Sequence, residues 1–284
     1  MVLKAPFPWF GGKRRVAHVV WEAFGPDVNN YVEPFAGSLA VLLGRPGGEG
    51  KCETANDKDA YLSNFWRALQ ADPEGVAKWA DWPVNEADLV ARNRWLIKNK
   101  PTYGAMIADP EFYDVKLAGW WVWGVCAWFG RGWTEGRSAT NVSCKLPLLS
   151  RRGQGIHAKL PYLTTKGRGI HNVSSEINSE GPAFLPTFHL LQKRLRRVRI
   201  ACGDWRRVVS PSVLGISSES SGLTPCAVFL DPPYSNSLRC ERIYSEDDVG
   251  IADEVRAWAI ENGDNPSLRI ALCGYEGEHA MPSG

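Results

Sequence analysis

Asp231-Pro232-Pro233-Tyr234 is the stretch in which residue type and spacing promise chemistry. It follows four apolar residues, Ala227 to Leu230, that read as a buried strand. Each proline lacks an N–H and fixes φ, so the strand must stop at Asp231 and the turn that follows is stiff. The carboxylate is thereby held at the carboxyl end of a strand, which in an open α/β sheet is the edge where ligands bind. The Asp231 carboxylate, the Pro232 carbonyl and the ring of Tyr234 would converge on one small volume. Two acceptors and an aromatic face suit a flat substrate bearing an amino group.

Three further stretches could build a nucleotide-like site beside it. Phe7-Pro-Trp9-Phe-Gly11-Gly12-Lys13 puts two glycines before a lysine, and Lys13 opens a predicted helix with Val16, Val19, Val20 and Ala23 at helical spacing. A phosphate loop is excluded, because Arg14 stands where Ser or Thr is required and no strand precedes it. Asn30-Tyr-Val-Glu33-Pro34-Phe35-Ala-Gly37-Ser38 reads as a strand, a glycine turn and a helix through Leu39, Val41, Leu42 and Leu43. The next predicted strand, from Lys51, runs into Asp57, 20 residues after Gly37. An acid at that distance is placed to accept the hydroxyls of a ribose, which fits an NAD enzyme as well as an S-adenosylmethionine enzyme.

Taken in this order, these stretches resemble the amino-group DNA methyltransferases that use S-adenosylmethionine, above all the adenine-specific branch related to Dam. Asp231 to Tyr234 is similar to the family's catalytic tetrapeptide, Trp9 to Lys13 to its amino-terminal motif, and Glu33 to Gly37 to its donor loop. Leu39 departs from the pattern, standing where the last glycine of that loop is expected, so only part of the loop is free to approach the donor closely. Gly203-Asp204-Trp205 resembles the family's acid and aromatic pair that holds the donor's adenine. The resemblance implies Asp231, Pro232 and Tyr234 as catalytic residues, and Trp9, Gly12, Lys13, Pro34, Phe35, Gly37, Asp57, Asp204, Trp205 and Asp231 around S-adenosyl-L-methionine.

The elements that must position these residues alternate strand and helix at both ends of the chain. Apolar Leu62, Phe65, Trp66 and Leu69 share one helix face, and Asp72-Pro73 ends that helix. Alternation lapses from about 72 to 190. Asn85 caps a helix through Ile97, and the aromatic run from Gly119 to Phe129 reads as mostly core. Arg131 to His171 follows, with eight basic residues (Arg131, Arg137, Lys145, Arg151, Arg152, Lys159, Lys166, Arg168) against one acid, Glu135, and six glycines among them. A basic, glycine-rich loop is what phosphate contacts call for. In the family the target-recognition insertion occupies this slot.

The sheet resumes with Val198 to Cys202, after the basic helix end at Leu190 to Arg197. Ser210 to Thr224 reads as a loop, Ser235 to Asp248 as a flap over the base, Ile251 to Ile260 as a helix with Ala252, Val255 and Ala259 inward, and Leu268 to Cys273 as a strand. The expected fold is α/β: a Rossmann-like, doubly wound methyltransferase sheet with an inserted, mostly helical and loop-rich target-recognition domain. The expected divisions are 1–71 for donor binding, 72–190 for the insertion and 191–284 for the rest of the catalytic domain. Family members usually add a closing pair of antiparallel strands beyond the point where this sequence stops.

Composition narrows the class. Of 284 residues 44% are hydrophobic and 23% charged, ordinary for a globular chain, and the net charge of +2 carries no information about nucleic acid. No apolar run reaches the roughly 20 residues needed to span a bilayer, and Met1 to Pro6 lacks a signal-peptide core, so a cytoplasmic chain is expected, and the resemblance implies a bacterial or phage origin. Seven scattered cysteines without Cys-x-x-Cys pairs predict reduced, mostly buried thiols and no metal. Pro225-Cys226 begins the catalytic strand, with four residues between Cys226 and Asp231, and reads as core rather than as a nucleophile.

The expected activity is site-specific methyl transfer from S-adenosylmethionine to the N6 amino group of a flipped-out adenine in double-stranded DNA, with a cognate restriction endonuclease as the partner the family allows. The same chemistry on cytosine N4 or on RNA adenine, a catalytically silent DNA-binding relative and an NAD enzyme are the alternatives.

Overall fold

A computed structural model of the chain describes residues 3–9, 11–48, 51–109, 112–127, 133–134, 184–216, 225–233 and 250–274. The chain divides into two compact units, one formed by residues 1–4, 11–59 and 197–284, the other by 5–10 and 60–196.

In the first unit five strands form one wholly parallel sheet: β1 (Asn30–Glu33), β2 (Cys52–Asp57), β3 (Val198–Cys202), β4 (Cys226–Leu230) and β5 (Leu268–Leu272), in the order β3-β2-β1-β4-β5. The chain winds outward from β1 to β3, then returns and winds the other way through β4 and β5. The direction of winding therefore reverses between β1 and β4, where register pairs Val32 with Val228. That reversal opens the crevice in which doubly wound sheets bind ligands, outside the carboxyl ends of the strands. This is a Rossmann-like, doubly wound α/β fold.

Strand alternation sorts the faces of this sheet. Val32, Val228 and Leu230 point into a cluster with Trp205, Val208, Leu214, Val255, Ala259 and Leu268, which draws on α9 (Pro211–Leu214) and α10 (Ile251–Glu261). On α10 the inward residues are Ala252, Val255 and Ala259, as the spacing predicts. Tyr31 faces the other way, its ring 4.8 Å from that of Trp21 on α1 (Ala17–Phe24). The Trp21 indole N–H donates to the carbonyl of Val41 on α2 (Ala40–Leu43) at 2.7 Å. Arg45, just after α2, is buried over the Trp21 ring and pairs with buried Glu53 at 3.2 Å. Here the structure corrects the sequence reading: α1 buries Ala17, Trp21 and Phe24, whereas Val16 and Val19 are exposed. Two aromatic rings bury more apolar area than the valines, and that decides which face turns inward.

The second unit is helical: α3 (Ala60–Ala71), α4 (Pro73–Ala80), α5 (Glu86–Lys98), α6 (Tyr103–Ala108), α7 (Val115–Ala127) and α8 (Leu185–Leu195). Asp72 ends α3 and caps α4 by accepting from the Gly75 N–H, and Asn85 caps α5 through Asp88. The α7 helix packs on α3, α4 and α5. Its Trp121 and Trp123 are buried, so the aromatic run is core there. Phe65 of α3 and Trp121 of α7 both meet Phe7, at centroid distances of 5.4 and 5.1 Å. These contacts place α3 and residues 5–10 in the helical unit. No described helix is long and apolar enough to cross a membrane.

Candidate active site

β4 is buried at all five positions and gives out at Leu230, immediately before Asp231, as the two prolines require. From the far end of the sequence, Gly12 leads into a short 3-10 turn, Lys13–Arg15. The Lys13 ammonium reaches Asp231 Oδ2 at 2.6 Å and donates to the Gly11 carbonyl at 2.9 Å. Both side chains of the ion pair are about 15% exposed (15% and 16%), so the charge-assisted bond is partly shielded from water. Residues 218 positions apart thus meet at the end of β4.

The adjoining strand, β1, runs into Glu33, Pro34 and Phe35. Glu33 is 2% exposed and accepts from the Leu42 N–H at 3.3 Å. Burial pushes its carboxyl up to about 8, and the neighbouring Asp231 charge adds to the rise. At neutral pH the group is therefore a neutral acid. Gly37 turns the backbone with φ +47°, and its N–H donates to Asp57 Oδ2 at 2.9 Å. Leu39 then takes φ +56°, ψ +27°, the left-handed conformation that a glycine would adopt. Such a conformation costs a leucine about 1–2 kcal/mol, while its fully buried side chain is worth about 2–5 kcal/mol against truncation. Packing wins, and the loop keeps its glycine-type path without the glycine.

Asp57 ends β2, and its other oxygen accepts from the Asp59 N–H at 2.9 Å. Burial raises its pKa against the pull of these amide N–H groups. Asn56, beside it, is 1% exposed and donates both side-chain hydrogens, to the Pro34 and Gly203 carbonyls, each at 3.0 Å. On the next strand end, Asp204 begins a 3-10 turn, accepting from the Arg206 N–H at 2.8 Å and from its guanidinium at 3.0 Å. Trp205 is 4% exposed, 6.0 Å from the Phe35 ring and 6.2 Å from that of Trp258.

One edge of the sheet therefore gathers Gly12, Lys13, Pro34, Phe35, Gly37, Asp57, Asp204, Trp205, Asp231 and Pro232. Trp9 lies in the aromatic cluster of the helical unit, 5.9 Å from Phe7 and 6.4 Å from Trp121. Tyr234, the flap from Ser235 to Asp248 and all eight basic residues (Arg131, Arg137, Lys145, Arg151, Arg152, Lys159, Lys166, Arg168) fall outside the described residues. Cys226 is buried, and burial pushes its thiol up to about 12, so it is no thiolate at neutral pH. Sequence reasoning overlooked Asn56 and the buried state of Glu33. Asn56 had one signal, its place beside the acid at a strand end.

Residues 9–103 match the sequence model of the family described as D12 class N6 adenine-specific DNA methyltransferase. No curated protein matches the chain. The matched segment holds Trp9, Gly12, Lys13, Pro34, Phe35, Gly37 and Asp57, whereas Asp204, Trp205, Asp231 and Pro232 lie beyond it and owe their place at this edge to the β3 and β4 strand ends.

Proposed function

We propose that the chain transfers a methyl group from S-adenosylmethionine to the N6 amino group of adenine in double-stranded DNA. The observation that carries the reading is the 2.6 Å contact of Lys13, within the segment that matches the D12-class model, with Asp231 at the winding reversal of the sheet. The residues at that edge suit the donor: a glycine turn whose backbone is open to close approach, a carboxylate after β2 for ribose hydroxyls, and an acid at Asp204 for an adenine amino group. When bound, the donor supplies an electrophilic methyl group on a sulfonium sulfur.

The exocyclic amine of adenine is a poor nucleophile because its lone pair is delocalised into the ring. Asp231 and the Pro232 carbonyl accept its two N–H bonds, favour a pyramidal nitrogen and stabilise the positive charge that develops there. Held geometry supplies much of the remaining acceleration. The target base leaves the duplex to reach this edge, and Tyr234 offsets part of the unstacking cost by stacking on it. Isothermal titration with S-adenosylhomocysteine tests the reading, with NAD as the control. One site for S-adenosylhomocysteine and none for NAD is expected; the reverse pattern contradicts it.

A further inference from the structure

We infer that Asn56 is a positioning residue that fixes the spacing between the two halves of the donor pocket, which deepens the methyl-donor reading above and rests on it. Hydrogen bonds tie the end of β2 to the turns after β1 and β3. The Asn56 carbonyl accepts from the Ala36 N–H at 2.8 Å, and Asp57 Oδ2 from the Gly37 N–H at 2.9 Å, so the turn after β1 is held by backbone and side chain together. The Asp57 carbonyl accepts from the Gly203 N–H at 3.0 Å, which holds the turn after β3. The Asn56 carboxamide bridges both turns with a single side-chain group, one N–H on the Pro34 carbonyl and the other on the Gly203 carbonyl.

The residue type follows from this geometry. Two carbonyls aimed at one buried spot require a double donor that carries no charge, and a primary carboxamide is the side chain that supplies it. The remaining oxygen, Oδ1, is buried with no hydrogen-bond partner among the described residues. A flipped amide would set that oxygen against a carbonyl, so the orientation is fixed and the orphan acceptor is the cost of it. The turn after β1 carries Pro34, Phe35 and Gly37, and the turn after β3 carries Asp204 and Trp205. One carboxamide therefore sets how far the groups that face one end of an adenosine lie from those that face the other.

The test compares wild type with Asn56→Asp, which keeps the shape and loses both donors, and Asn56→Ala, which removes the bridge. Donor KM and kcat are measured at saturating DNA, S-adenosylhomocysteine Kd by titration, and Tm on the same samples. The proposal predicts that Kd and donor KM rise about tenfold or more, equivalent to about 1.4 kcal/mol, with kcat at saturating donor and KM for DNA within about twofold of wild type. A fall in Tm or in active fraction with donor KM and Kd unchanged overturns it and leaves Asn56 as scaffold alone. Hydrogen exchange on the wild-type protein gives a second arm that needs no variant: S-adenosylhomocysteine should protect the Ala36 and Gly203 amides together, and protection of one without the other overturns the coupling. A wild-type chain that binds no S-adenosylhomocysteine overturns the donor reading itself, and this proposal with it.

Discussion

At the scale of residues, the most unusual group is Glu33, a carboxylic acid kept neutral beside the ion pair of Lys13 and Asp231. Its carboxyl titrates near 4.5 in an ordinary setting and at about 8 in the fold. A raised carboxyl contributes stability that is whole below the lower value and is lost as pH climbs through the upper one. The wild-type Tm should therefore fall as pH rises from about 5 to 8, and Glu33→Gln, which keeps the shape and an acceptor for the Leu42 N–H, should flatten that fall. Parallel curves for the two proteins would place the titration elsewhere. The residue types of the site were legible in the sequence because carboxylates, prolines and glycines carry few interpretations at a strand end. The pairing of Lys13 with Asp231 was not, since nothing local links positions 218 apart until the strand order is known. The burial of Glu33 was equally hidden: solvation belongs to the neighbours, and the motif names only the residue.

At the scale of elements, legibility followed the strength of the local signal. Prolines stopped β4, Asn85 capped α5, and the small apolar residues of α10 turned inward, each where pattern and chemistry agreed. For α1 the pattern misled, because valines and aromatics occupy different faces of one short helix and periodicity alone cannot rank them. Within the stretch read as a loop after Ser210, Pro211–Leu214 forms one helical turn, and Pro211 at its first position was the available signal. Tight packing at element level makes its own prediction. Gly119 of α7 lies so close to α4 that an added Cβ would stand 2.4 Å from Trp79 Cβ and 2.7 Å from the Val76 carbonyl. Gly to Ala inside an exposed helix stabilises by about 1 kcal/mol, but here backbone blocks the methyl group and Gly119→Ala should destabilise by about 1–3 kcal/mol in urea unfolding. A stabilised variant would mean that α4 and α7 lie farther apart than this.

At the scale of the whole molecule, the parallel sheet and its order β3-β2-β1-β4-β5 agree with the doubly wound fold that the motifs implied. The doubly wound architecture came from the family resemblance, and the strand order from the structure alone, since local pattern shows where strands are and not which lie side by side. The sequence suggested a division near residue 71, while the helical unit begins at Ala60 and takes in residues 5–10. Apolar contacts set that division: Phe65, Trp66 and Phe7 join the aromatic core around Trp121, and no change of composition marks the spot. The basic stretch from Arg131 to Arg168 makes a prediction for the complete chain. If half of its eight cations meet phosphates, affinity for duplex DNA should fall about a hundredfold between 50 and 200 mM salt. A flat response would remove that stretch from the interface.

The central claim is that Asp231 receives the amino group of adenine while the same edge of the sheet holds the methyl donor. The most direct measurement is incubation of the chain with labelled S-adenosylmethionine and, separately, duplex DNA and RNA, followed by nucleoside analysis, with Asp231→Ala alongside. The account predicts label in N6-methyladenine from DNA and a loss of at least about a hundredfold in the variant. Label in N4-methylcytosine or in RNA alone, or methylation undiminished by Asp231→Ala, would contradict it.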